Sequence, residues 1–227
     1  MPAPLRAGES SDVPVAAPMP AGRASDAVGL VLAAGAGTRF GAAKQVAQLG
    51  GRPLIQWPID ALRAGGVEHI VVVLGAHADA VRPALGAVES VVAADWAEGI
   101  SASLRTGVAA AQARGADRVL VVLGDQPHLT GVAVARVLAA SRRGAPFCRA
   151  CYGGVCGHPV ALGRETFAAI AALRGDAGAR ALTRWSPVDV DCAGAGAPAD
   201  VDTPADLQAA SALLAAGRAP ARVPPRR

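Results

Sequence analysis

The chain has 227 residues, of which 52% are hydrophobic and 18% are charged. A length of this order is typical of one domain, and the apolar fraction excludes an intrinsically disordered protein. Aromatic residues make up only 3%, so the core must be built from Ala, Val and Leu. That composition favours helices packed on a parallel sheet over an aromatic-rich β-sandwich.

The net charge of +4 comes from a Pro-rich C-terminal tail that contains Arg218, Arg222, Arg226 and Arg227. A basic tail without aromatic residues is typical of a solvated chain end, so we expect no nucleic-acid partner. Neither a membrane-spanning run nor the apolar centre of a signal peptide occurs, which predicts a cytoplasmic protein without a membrane partner. We expect a disordered leader (1–26), one domain (27–217) and a disordered basic tail (218–227).

The first 140 residues alternate between short apolar runs and helical patterns. We expect a strand over 28–33, a glycine-rich loop, and a helix opened by Pro53 that ends near residue 64, with a kink or a late start at Pro58. Three further strands (70–74, 89–93 and 119–123) alternate with helices over 77–85, 101–114 and 130–142, the last capped by Thr130. This alternation predicts an α/β doubly wound fold.

The alternation breaks in the remainder of the chain. Residues 146–162 are predicted to form a hairpin, which would add an antiparallel edge to the sheet. Helices are expected over 165–173 and 179–185, a last strand over 188–190, and a closing helix from Thr203-Pro204 to residue 216. The whole pattern predicts a three-layer, Rossmann-like α/β fold with a mostly parallel mixed sheet.

Four cysteines are present, three of them in a C-x2-C-x4-C pattern formed by Cys148, Cys151 and Cys156. Such spacing suits a metal knuckle. However, the segment is predicted to form two strands, in which alternating residues point to opposite faces, and no second C-x2-C follows. We therefore expect small buried thiols in a reducing cytosol, with a structural zinc or iron–sulfur site as the alternative.

The first chemical motif is the segment LAAGAGTRFGAAK, which runs from Leu32 to Lys44 directly after the first strand. A glycine-rich loop at this position lets backbone N–H groups approach phosphate closely. The spacing fits neither the dinucleotide fingerprint nor the Walker A motif. Arg39 and Lys44 can both reach a polyphosphate over the loop. Lys44 is the single lysine of the chain, and an ammonium group enters a crowded phosphate site more easily than a guanidinium.

Two acidic motifs follow along the chain, one at the end of the fourth predicted strand and one just before the closing helix. Asp125, in LGDQP, ends the fourth strand, and a carboxylate there can bind Mg²⁺ together with phosphate oxygens. Asp200 and Asp202, in ADVDTPADL, share a face if the segment is extended. Helix capping explains Thr203 but does not require both aspartates. We expect Asp202, ahead of Asp200, to be a second metal ligand.

Together with GHPVALG and LRGDAGARAL, these motifs resemble the molybdenum cofactor cytidylyltransferases. That family is related to the molybdenum cofactor guanylyltransferases and belongs to the nucleotidyltransferases with a GT-A-like fold. The resemblance extends over residues 28–214. Each motif alone is weak, whereas their order and spacing are specific to this superfamily.

The resemblance implies a role for each matching residue. The backbone that holds base and triphosphate would be that of Leu32, Ala33, Ala34, Gly35 and Gly37. Arg39 and Lys44 would bind the phosphates, with Arg39, Lys44 and Asp125 as the catalytic residues, and Asp125 and Asp202 would bind Mg²⁺. Ser101 and Ser103 would lie near the base and ribose. His158 and Arg180 would face the acceptor, although His158 is equally well explained as a structural turn residue.

The implied reaction transfers CMP from CTP to molybdenum-bound molybdopterin and releases pyrophosphate, as a step of molybdenum cofactor biosynthesis. It would require Mg²⁺, and a molybdoenzyme or its chaperone would be the protein partner. Two alternatives stay open at the level of sequence. One is a nucleotidyltransferase of the same fold with another phosphorylated acceptor, and the other is a nucleotide-binding accessory protein without turnover.

Overall fold

The computed structural model describes residues 26–216. The expected basic tail and all of the expected leader except Asp26 therefore lie outside the described residues. Asp26 pairs with Arg118 at 2.9 Å and with Arg142 at 2.5 Å, so its side chain is held against the domain.

A seven-stranded mixed sheet forms the centre of the molecule, in the order β5-β4-β1-β6-β8-β7-β9. The pairs β1/β4, β1/β6, β4/β5 and β7/β9 are parallel, and β8 is antiparallel to both β6 and β7. A separate two-stranded sheet pairs β2 with β3. The strands are β1 (Ala27–Ala33), β2 (Gln48–Leu49), β3 (Arg52–Pro53), β4 (His69–Leu74), β5 (Glu89–Val92), β6 (Arg118–Leu123), β7 (Phe147–Tyr152), β8 (Val155–Gly163) and β9 (Val188–Asp191).

Helices cover both faces of the sheet, which gives the expected three layers. They are α1 (Gln56–Ala64), α2 (Ala78–Val81), α3 (Ile100–Ala113), α4 (Gly131–Arg142), α5 (Phe167–Ala171) and α6 (Pro204–Ala215). Apolar residues of α1 and α4 pack on one face and those of α3 and α5 on the other. All seven residues of β1 are buried, because a central parallel strand has helices on both sides. The predicted fold class is confirmed. Within residues 26–216, no helix has both the length and the apolar character needed to cross a membrane.

Three local predictions differ from the structure. Pro53 does not open the first helix but lies in β3; the helix takes the late start that was expected as the alternative to a kink, at Gln56, which places Pro58 in the first turn, where its missing N–H is not needed. The helix expected over 179–185 is only a 3₁₀ turn, Ala179–Ala181, because so short a segment gains too little to nucleate a helix. The hairpin of β7 and β8 lies inside the sheet, and β9 forms the edge beyond it.

The cysteine prediction is wrong for one pair. Cys151 and Cys156 form a disulfide across the hairpin, whereas Cys148 and Cys192 are buried free thiols. Gly153 and Gly154 turn the chain with φ values of 60° and 97°. Residues equidistant from a two-residue turn become cross-strand partners on the same face, and Cys151 is in register with Cys156. The sequence prediction used the alternation of side chains along one strand. That alternation does not show which residues of two paired strands lie opposite each other.

Candidate active site

The carboxyl ends of β1 and β6 lie side by side and bring the first two sequence motifs together. The Gly124 N–H donates to the Leu32 carbonyl at 2.9 Å, which joins the two motifs directly after the strands. The Val201 N–H in turn donates to the Asp125 carbonyl at 2.9 Å. This contact brings the segment before α6 to the same edge of the sheet, where open α/β sheets bind their ligands.

Lys44 is the centre of a carboxylate cluster at this edge. Its Nζ lies 2.5 Å from Asp125 Oδ2 and 3.0 Å from Asp202 Oδ1, and its side chain is only 12% exposed. The exposed Arg39 adds a second cation through a 3.0 Å contact from Nη1 to Asp202 Oδ2. Four residues that are up to 163 positions apart in the sequence thus share one small volume.

Asp202 is available to this cluster because other residues cap α6. Thr203 is the N-cap, and its side chain accepts from the Asp206 N–H in a capping box. The Asp206 carboxylate also accepts from the Asp202 N–H at 3.1 Å. The capping alternative therefore applies to Thr203 and Asp206 and leaves the Asp202 carboxylate free to face Lys44.

The cluster fits a divalent cation. Asp125 Oδ1 is a buried oxygen with no hydrogen-bond partner in the described part of the chain, whereas Oδ2 of the same carboxylate is paired with Lys44. An unpaired buried carboxylate oxygen is costly. Oxygen ligands from a small number of carboxylates are what Mg²⁺ and Mn²⁺ prefer. Asp125 and Asp202 are the residues that could hold such an ion.

Burial and mutual repulsion shape the charges in the cluster. Burial raises the pKa of Asp125 although the Lys44 ammonium opposes this effect. Burial lowers the pKa of Lys44, but Asp125 and Asp202 outweigh it, so the pKa of Lys44 is raised overall. At neutral pH Lys44 is therefore a cation held next to Asp125 and Asp202.

Gln126, next to Asp125 in the sequence, links Asp200 to His158, and the sequence did not reveal this link. The buried Gln126 amide donates to Asp200 Oδ1 at 2.7 Å, and its Nε2 lies 3.5 Å from His158 Nδ1. Burial and the neighbouring carboxylate of Asp125 raise the pKa of Asp200 to about 6. Burial, with a smaller effect from Arg180, lowers the pKa of His158 to about 4. His158 is therefore neutral at pH 7.

The glycine-rich loop lies next to the cluster. Leu32, Ala33 and Ala34 are buried, and Gly35 is exposed. Gly37 has a φ of 61°, and a Cβ there would lie 2.7 Å from the Ala42 carbonyl oxygen, so this turn requires glycine.

The loop is fixed from the end of β4 by His77, whose Nε2 lies 2.9 Å from the carbonyl oxygen of Ala36. An isolated His beside an apolar strand carries no sequence signal that points to a contact with a distant loop.

The remaining predicted site residues surround this centre. Ser101 and Ser103 are buried in the first turn of α3, where the Ser101 hydroxyl contacts Glu98 and Arg105. Arg180 is exposed on the 3₁₀ turn and is near enough to His158 to affect its charge. The described contacts join Arg39, Lys44, Asp125 and Asp202 directly, and none of them ties either serine to this cluster.

Comparisons with known proteins give a consistent result. A family model described as "MobA-like NTP transferase domain" matches residues 29–191. Nicotine blue oxidoreductase of Paenarthrobacter nicotinovorans is 37% identical over 189 residues, which cover 77% of this chain and 91% of that protein.

Solved structures of Rv0371c proteins are also similar. The Rv0371c homologue from Mycobacterium sp. strain JC1 has a TM-score of 0.75 at 31% identity, covering 86% of this chain and 99% of its own. Rv0371c of Mycobacterium tuberculosis H37Rv, solved in complex with manganese, has a TM-score of 0.68 at 28% identity and covers 82% and 98%.

Proposed function

The chain belongs to the MobA-like NTP transferase domain family, and on that basis we propose that it transfers CMP from CTP to molybdenum-bound molybdopterin. The observation that carries the proposal is the cluster in which the ammonium of Lys44 contacts the carboxylates of Asp125 and Asp202 beside a glycine-rich loop. A protein that only binds nucleotides does not need two carboxylates in the crevice.

The proposed chemistry needs positioning and charge neutralisation more than proton transfer. The nucleophile is a phosphate oxygen of the acceptor, which is already anionic at neutral pH, so no general base is required. It forms a bond to the α-phosphorus of CTP while the bond to the bridging oxygen breaks, and pyrophosphate leaves with the electron pair. Lys44 and Arg39 would neutralise the charge that develops on the leaving group.

A divalent cation, Mg²⁺ in our proposal, fits Asp125 and Asp202 because of the unpartnered Oδ1 of Asp125. When bound, it supplies charge neutralisation for the phosphate oxygens. The manganese complex of the Rv0371c relative supports a divalent cation in this family. In our proposal Lys44 leaves the carboxylates and turns to the phosphates when the cation and nucleotide bind.

Support for CTP and for the acceptor comes mainly from sequence resemblance. The loop reads LAAG with Ala43 before Lys44, whereas the guanylyltransferase relatives tend to have LAGG with Asp before the lysine. Arg180 can attract the anionic acceptor. His158, neutral because its pKa is about 4, can donate or accept one hydrogen bond. We place the reaction in the cytoplasm, with a molybdoenzyme or its chaperone receiving the product.

The decisive experiment is a screen of CTP, GTP, ATP and UTP with candidate acceptors and Mg²⁺, with pyrophosphate release as the readout. We expect turnover with CTP and molybdenum-bound molybdopterin. Asp125→Asn should lower it by about 10² or more. Asp60→Asn is the matched control, because Asp60 pairs with Arg52 on the surface. Equal turnover of Asp125→Asn and Asp60→Asn would overturn the assignment of Asp125 to the active site. Turnover with GTP alone would overturn the assignment of CTP as the nucleotide.

One observation favours a second candidate function. The relative that covers 77% of this chain is named an oxidoreductase acting on nicotine blue. Under this alternative the crevice would bind nicotine blue and a reductant instead of CTP and a pterin. Bleaching of nicotine blue with NADH or NADPH, without pyrophosphate release from any nucleotide, would establish it in place of the transferase.

A further inference from the structure

Arg105, on α3, joins the first turn of that helix to a distant loop. We call this first turn, which contains Ser101 and Ser103, the nucleotide wall, because the family resemblance implies that these serines lie near the base and ribose. The loop, residues 173–176, begins the motif that also contains Arg180. Arg105 Nη1 donates to the Leu173 carbonyl at 2.7 Å and to the Ser101 hydroxyl at 3.2 Å. Its Nη2 donates to Glu98 Oε2 at 2.5 Å. The guanidinium is only partly exposed, at 19%, and it binds two groups at the start of α3 and one in the loop.

Glu98 completes the connection from the other side. Its Oε1 accepts from the Gly175 N–H at 3.0 Å, and the Gly175 carbonyl accepts from the Ser101 N–H at 3.2 Å. The loop is thus bonded to the start of α3 by its own backbone on both sides of Arg174. A planar guanidinium can donate to several acceptors at once, which a lysine cannot do in the same geometry.

An independent observation shows that the two segments are built to touch. Gly99 has a φ of 122°, and a Cβ at this position would lie 2.3 Å from Asp176 Oδ1 and 2.7 Å from the Gly175 carbonyl carbon. Only a residue without a side chain allows this approach. The start of α3 is therefore shaped to receive the loop.

The ion pair stays charged at neutral pH. The hydrogen bond from Arg105, followed by that from the Gly175 N–H, lowers the pKa of Glu98 to about 2. Hydrogen bonds between charged partners are roughly twice as strong as neutral ones. Loss of either partner leaves the loop with one charged contact fewer.

We propose that Glu98 and Arg105 are positioning residues that hold the 173–176 loop, and with it Arg180, against the nucleotide wall so that the acceptor can bind. This inference rests on the proposed function only where it concerns the acceptor. The physical coupling of the loop to α3 stands on the contacts alone. The pair would act through Arg180 and would not touch the reacting phosphates.

The first test is limited proteolysis, which needs no activity. Trypsin cleaves after Arg174, inside the loop, and the rate of cleavage follows the free energy of local opening when reclosing is fast. Loss of a charged hydrogen bond should raise the rate about tenfold or more. We expect this for Arg105→Gln and Glu98→Gln, measured by mass spectrometry of the peptide that ends at Arg174.

The matched control is Arg114→Gln, because Arg114 pairs with Glu89 at the opposite end of the same helix. It should be cleaved after Arg174 at the wild-type rate. If one variant fails to fold by circular dichroism, the other still tests the contact. Unchanged cleavage in the folded variants would overturn the coupling, whatever reaction the protein catalyses.

The second test separates positioning from general damage. In the transferase assay, Arg105→Gln should raise KM for the acceptor about tenfold while kcat stays within about threefold, because the reacting groups are untouched. Arg105→Lys should have an acceptor KM between those of the wild type and Arg105→Gln, since it keeps the charge but loses the planar guanidinium that donates to several acceptors at once. A fall in kcat with unchanged acceptor KM would overturn the positioning role. Failure of the proposed function would instead appear as no turnover in the wild type, with the proteolysis result intact.

Discussion

Replacing Lys44 by methionine tests the charge balance of the cluster directly. The side chain keeps its approximate size but loses the ammonium that lies 2.5 Å from Asp125 and 3.0 Å from Asp202. Two partly buried carboxylates, 16% and 22% exposed, would then face each other without a cation between them. We expect the folded protein to be less stable and to bind a divalent cation more readily.

The size of the effect follows from burial. At an effective dielectric constant of about 20, each contact has a gross Coulomb energy of about 6 kcal/mol, most of which the cost of desolvation cancels. Removing one partner of a fully buried pair costs about 3–5 kcal/mol. Because these carboxylates can partly rehydrate, we expect Lys44→Met to lower the free energy of unfolding by about 2–3 kcal/mol. For a domain of this size, that loss lowers Tm by about 5–10 °C.

The assay is a thermal melt of the wild type, Lys44→Met and Arg39→Met, each with EDTA and with excess Mn²⁺ or Mg²⁺. Arg39 is the matched control, because its pair with Asp202 is 67% exposed on the arginine side. An exposed pair contributes about 0–1 kcal/mol. We expect the cation to restore most of the Tm of Lys44→Met and to stabilise the wild type less, since the ammonium and the cation compete for the same oxygens.

Two results would refute this reasoning. Equal melting temperatures for Lys44→Met and Arg39→Met in EDTA would show that the buried contacts contribute no more than the exposed one. Equal stabilisation of wild type and Lys44→Met by the cation would show that the ammonium and the metal do not share a site.

Three further predictions concern other parts of the structure. The pKa of Asp200 is about 6 in the folded protein, against 3.8 for an ordinary aspartate. The native state therefore binds more protons than the unfolded chain, so the free energy of unfolding falls as pH rises from about 4 to 6. Denaturant melts of Asp200→Asn should lack this fall, and the variant should be more stable than the wild type at pH 7. Replacing Cys151 and Cys156 by serine should cost no more than about 2 kcal/mol of unfolding free energy, because the loop that they close is short; a variant unfolded at 25 °C would contradict this. His77→Ala should raise KM for CTP about fivefold through loss of one hydrogen bond to the glycine-rich loop, while the exposed His69 should be replaceable without effect in the same assay.

The elements that the sequence predicted well are those with a strong local pattern. The apolar runs of β1, β4 and β6 and the Thr130 cap of α4 appear within a residue or two of their predicted positions. The glycine-rich loop and the two acidic motifs follow from the rule that ligands bind beyond the carboxyl ends of parallel strands. Because all three motifs lie at this edge of the sheet, Arg39, Lys44, Asp125 and Asp202 come together there.

What the sequence could not show depends on register and on distant partners. The Cys151–Cys156 bond requires the exact pairing of two strands, and a shift of one residue would separate the thiols. Gln126 and His77 act through residues that are 74 and 41 positions away. Arg105 looks like an ordinary helix-surface cation until the loop that it binds is placed beside it. No local propensity describes such contacts.

The isolation of Lys44 gives the protein a built-in chemical reporter. With no other lysine in the chain, an acylating reagent meets one side-chain amine besides the α-amino group. That amine is protonated and enclosed by carboxylates in the free protein, and both conditions slow its attack on an ester. Any ligand that draws the carboxylates away should change the labelling rate, so the extent of acylation, read from intact mass, would follow occupancy of the crevice without a coupled assay.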